Sequence, residues 1–202
     1  MVGWFHRPTG RASHDFLITM LQLKLSTLAT GLGLVFALPH AYGVIKPAAF
    51  AAAARKFPRY TPIGCVLTLV ATVWFLYYVN LETVSEFATM KPFLYVLFGA
   101  VGVGTCVFVP DFLAVRGLAV ILLLCAKLMV DTARMADTEW RLVIVTWAYV
   151  WVVAGMWFTI SPWRLRDLIL WSTANEQRTR LVSGMRLAFG LFVLGLGLTV
   201  FK

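Results

Sequence analysis

The chain has 202 residues, of which 60% are hydrophobic and 13% charged, with a mean hydropathy of +0.82. A soluble domain averages about a quarter charged residues, so this composition leaves too little polar surface to stay in water. Eighteen Lys and Arg stand against nine Asp and Glu, but they fall in short segments between apolar runs, the charge pattern of membrane loops rather than of a nucleic-acid surface. Composition therefore excludes a soluble globular domain and a nucleic-acid partner. It predicts an all-α, polytopic integral membrane protein with about six transmembrane helices and short interfacial helices.

In chain order, residues 1–23 read as a polar, then amphipathic, interfacial segment carrying Trp4, His6, Arg7, Arg11 and His14. Residues 24–202 form one six-helix transmembrane domain, with spans expected at about 24–45, 61–82, 92–109, 112–131, 141–160 and 183–201. The first run, after Lys24, has a slight likeness to a signal sequence, but it is read as a retained span. Pro47 to Phe57 is alanine-rich, with Pro in its first turn and Arg55-Lys56 at its end, as suits a short helix and its dipole. Pro110-Asp111 separates the third and fourth spans so closely that an antiparallel hairpin is expected, with Asp111 as N-cap. Residues 161–180 read as a helix lying in the headgroup plane, Ser161 capping and Pro162 in its first turn, with Trp163 and Trp171 alongside.

The loops after the first, third and fifth spans hold ten of the Lys and Arg, and the other side holds eight. That excess puts those loops in the cytoplasm and both termini outside, in a bacterial inner membrane.

Three patterns draw attention. Arg116, Lys127, Asp131 and Arg134 are 11, 4 and 3 residues apart. At 100° per residue they share a narrow stripe on the fourth span, and ionisable groups there call for a partner, a cavity or an interface. Trp140, Trp147, Trp151 and Phe158 share a face of the fifth span and read as a surface for a partner subunit, a lipid or a ring-bearing cofactor. Small residues recur every fourth position at Ala29, Gly33 and Ala37, at Ala100 and Gly104, and at Gly184 and Ala188, which suits close helix approach in lipid.

The three histidines, His6, His14 and His40, cannot make a bis-His haem site within the spans, and no Glu-x-x-His pair exists for a diiron centre. Cys65, Cys106 and Cys125 lie apart in apolar runs, with neither metal-ligand nor disulfide spacing. No phosphate loop, hydrolase or metalloprotease motif occurs. The function expected is that of an accessory or scaffold subunit of a larger membrane assembly (respiratory, photosynthetic or transport). Its partners would be membrane lipids and other membrane subunits or further copies of itself. No cofactor is predicted, though a bound lipid, quinone or pigment is compatible with the aromatic face. Two other readings compete. A small carrier or channel would line a cavity with the polar stripe and Asn80, Thr146 or His40. A lipid-modifying enzyme would gather Asp131, Asp137 and Glu139 about a metal.

Overall fold

The computed structural model describes residues 24–81 and 85–201, and among these residues every regular element is helical. Helix α1 spans Leu25–Ile45 and α2 Pro47–Lys56, followed by a 3-10 turn at Phe57–Arg59. Then come α3 (Thr61–Leu81), α4 (Ser85–Phe108), α5 (Leu113–Arg134), α6 (Arg141–Ile160), α7 (Trp163–Ser172) and α8 (Glu176–Thr199). Six of them, α1, α3, α4, α5, α6 and α8, are long and apolar enough to cross a membrane. The expected interfacial segment at 1–23 lies outside the described residues.

The long helices run up and down. One end of the bundle, the loop end, carries α2, the 109–112 turn and α7; the other, the terminal end, carries Lys24, residues 135–140 and Phe201. Helix α1 lies antiparallel along α8, α6 along α5, and α3 touches both α4 and α5. Close approach is set by glycine where backbones meet. A Cβ added at Gly33 would lie 2.7 Å from the Leu194 nitrogen, and one at Gly64 would lie 2.6 Å from the Ala114 nitrogen. Neither position could carry a side chain without driving two helices apart. Ser26 Oγ donates to the Gly197 carbonyl at 2.7 Å, a hydrogen bond between the first and last helices.

Several boundaries differ from the sequence expectation, each for a local reason. The last helix begins at Glu176 rather than near 183, because Asn175 caps it: its side-chain oxygen accepts from the Arg178 nitrogen at 2.7 Å, and Glu176 complements the dipole. The expected helix over 161–180 is therefore two pieces, ten-residue α7 and the first turn of α8. Pro162 occupies the N-cap position of α7 rather than its first turn. Helix α4 starts at Ser85 and passes through Pro92 without ending, and α5 runs on to Arg134.

The turn between α4 and α5 is also different. Phe112, not Asp111, is the N-cap, in the left-handed region at φ 54°. That conformation is uncommon for a bulky residue; here Phe112 packs on the small cluster of Val115, Ala119 and Phe158. The turn does not press its two helices together. Helices α4 and α5 scarcely touch, and each packs on α3 instead.

On α1 the small-residue rule holds, with Ala29, Gly33 and Ala37 all buried. On α8 the crossing uses Gly190 and Gly197, while Gly184 faces open space. Ala100 of α4 is exposed.

Candidate functional site

The polar stripe of α5 is one face but two places. Arg116 is in the first turn, at the loop end, and Lys127, Asp131 and Arg134 are in the last turns, at the terminal end. At 1.5 Å per residue, about 16 Å of helix separates Arg116 from Lys127. The distal three satisfy one another. Lys127 Nζ is 2.6 Å from Asp131 Oδ2, and an Arg134 nitrogen is 3.5 Å from Oδ1. The same ammonium sits 4.8 Å from the centre of the Tyr78 ring in the last turn of α3. This cluster is exposed at the end of the helix, where long side chains carry their charge outward.

The α6 aromatics divide likewise. Trp140 is 50% exposed just before the helix begins, whereas Trp147 is 6% and Phe158 7% exposed. Trp147 is the hub of an aromatic cluster. Its ring centre lies 5.3 Å from Phe36, 5.1 Å from Phe189 and 4.9 Å from Trp151, each edge to face. Phe158 packs on Val115 and Ala119 near the loop end. The structure thus brings Trp147 and Trp151 together and leaves Trp140 and Phe158 apart from them. Helix periodicity placed the four on one face; it carried no signal for Phe36 and Phe189, which cover that face from α1 and α8.

The remaining polar candidates are dispersed. His40 is buried on α1, its Nδ1 donating to the Phe36 carbonyl at 2.7 Å and its ring 4.7 Å from that of Phe36. Asn80 accepts from Tyr95 Oη at 3.1 Å, joining α3 to α4 near the terminal end. Asp137 and Glu139 lie in the connection between α5 and α6. Among the described residues no three His, Cys, Asp or Glu side chains come close enough to hold a metal ion.

What the sequence did not announce is a groove. Because α4 and α5 each lean on α3 and not on one another, a half-open cavity of about 380 Å³ lies between them. Arg116 and Thr105 stand at its loop end, with Thr159 of α6 beside them, and Phe75 and Phe98 lie deepest, edge to face at 4.7 Å. Val101 and Val120 form its exposed rims.

Its threonines are less polar than their names suggest. Thr72, Thr105 and Thr159 each donate to a carbonyl of their own helix, at 2.8, 2.9 and 2.8 Å. Their methyl groups and spent hydroxyls leave the wall suited to hydrocarbon. Arg116 is the one charged lining residue, and among the described residues it meets no carboxylate within ion-pair distance. Thr68, also in the wall, has a buried hydroxyl oxygen without a hydrogen-bond partner.

At the same end Arg55 fastens α2 to the turn before α8, donating from Nε to Thr173 Oγ1 at 3.0 Å and from a second guanidinium nitrogen to the Thr173 carbonyl. Compared with known proteins, the chain matches no family, no curated protein and no solved structure.

Proposed function

We propose that the six long helices cross a bilayer and that the chain serves as an accessory or scaffold subunit of a larger membrane assembly. The observation that carries this reading is the state of α4. In its apolar stretch, Met90–Phe108, 6% of the residues are buried, against 44% in α5. Helices associate in lipid through close packing, not through a hydrophobic drive between them. A span touching one neighbour along one line is under-packed, and it presents Val96, Val103 and Val107 outward beside Gly99, which faces open space. That smooth face suits a helix of a partner subunit.

The loop end belongs in the cytoplasm, since it carries Arg55, Lys56, Arg59, Arg164 and Arg166, and the excess of Lys and Arg sets orientation. Lys24 and Phe201 then face away from the cytoplasm, and a bacterial inner membrane is the setting this arrangement suits.

Two measurements test the reading separately. Carbonate washing of membranes should leave the chain in the pellet; release into the wash would remove the membrane reading altogether. Native mass spectrometry after mild-detergent extraction should find a second chain at fixed stoichiometry, lost on Val96→Trp and Val103→Trp. A solitary monomer, or a partner indifferent to both substitutions, overturns the subunit reading.

A further inference from the structure

We infer that the groove between α3, α4 and α5 holds an acyl chain of an anionic phospholipid whose phosphate is bound by Arg116. The inference rests on the membrane reading above and adds a ligand that the reading does not require.

Three observations select this occupant. The walls suit hydrocarbon: Phe75, Phe98, Val101 and Val120 line them, the Thr72, Thr105 and Thr159 hydroxyls are engaged within their own helices, and of the lining threonines only Thr68 keeps an unpartnered hydroxyl. The cavity, at about 380 Å³, is of ligand size, and it opens sideways between exposed rims rather than into a central pore. The single charge lies at one end. Arg116 is one turn into α5, so on the membrane reading its guanidinium is at headgroup depth, while Phe98 lies ten residues, about 15 Å, below the end of α4.

An amphiphile with an anionic head and an apolar tail matches that gradient. A neutral hydrocarbon would leave Arg116 without a counter-charge, and a free anion would leave the apolar groove unfilled. Arginine also suits phosphate geometrically, because its planar fork can donate two parallel hydrogen bonds. The nearby positive end of the α5 dipole acts in the same direction.

The test uses the full chain, purified in mild detergent and stripped of lipid. It is titrated with phosphatidylglycerol and with phosphatidylcholine of the same acyl chains, and binding is read by native mass spectrometry. One phosphatidylglycerol should bind about tenfold more tightly than phosphatidylcholine, whose phosphate already has the choline ammonium as an internal counter-charge and so gains less from the Arg116 guanidinium. Arg116→Gln should erase that preference, whereas Arg164→Gln, a cation at the same end but outside the groove, should leave it intact. Val120→Trp and Val101→Trp, which fill the groove from opposite rims, should each weaken both lipids, with helicity by circular dichroism unchanged.

Equal losses from Arg116→Gln and Arg164→Gln would mean diffuse surface charge and overturn the inference. So would equal affinity for the two lipids, displacement by inorganic phosphate alone, or tryptophan variants that bind as the parent does. A chain that stays in carbonate-washed membranes yet fails these tests refutes the groove and leaves the membrane reading standing.

Discussion

Two parts of this bundle are built to different standards. Around Trp147, helices α1, α5, α6 and α8 close a continuous core in which Ala29, Ala126, Met129, Ile144, Ala148 and Val193 are wholly buried. On the other side α3 holds α4 along one line, and 11% and 6% of their apolar stretches are buried. The first part is closed on itself. The second leaves most of its apolar side chains outside the bundle. Composition does not distinguish them, since both are strongly apolar; shape does. Glycines that let backbones meet join α1 to α8 and α3 to α5, while α4 and α5 diverge from their turn.

Substitutions in the two parts should have unequal effects. Trp147→Ala removes the hub of the aromatic cluster and should cost the most, about 3–5 kcal/mol, read as a lower midpoint in sodium dodecyl sulfate titration. Gly33→Leu drives a side chain into the Leu194 backbone and should cost about 1–3 kcal/mol or more. Its counterpart Gly99→Leu, entering open space on α4, should stay within about 0.5 kcal/mol of the parent in detergent. Equal losses from the two glycine substitutions would erase the distinction between packed core and open side.

Arg55→Ala removes both hydrogen bonds to Thr173, and about 1–3 kcal/mol is expected, with the segment joining α7 to α8 exchanging amide hydrogens faster. Asp131→Asn should be smaller, about 0.2–1 kcal/mol, because its two ion pairs are exposed. A loss of several kcal/mol there would instead place that cluster in a dry environment.

Much of the architecture was legible because apolar run length depends on nothing but the chain itself. The six long helices, Pro47 at the start of α2 and the buried Ala29, Gly33 and Ala37 face all follow from local pattern. Boundaries slipped where a helix outruns its apolar stretch: α4 extends back through Lys91 and Pro92 to Ser85, and α8 through Arg180 and Arg178 to Glu176. The Asn175-Glu176 cap was a readable signal, hidden by the apolar spacing of α7 continuing toward it. Trp147 shows a different limit. Periodicity says which side chains share a face, but not that Phe36 and Phe189 cover it. The groove was least legible, since it exists because α4 and α5, adjacent in sequence, pack on α3 and not on each other.

On the proposed function, the α4 side is where this chain meets its neighbours. Photo-crosslinking in native membranes tests it directly, with a benzophenone amino acid placed at Val96 and Val103 on α4 and at Leu191 on α8 for comparison. Adducts to a second protein of one defined mass from both α4 positions, and none from Leu191, are the predicted result. Adducts from Leu191 alone, or only lipid adducts at all three positions, would contradict it.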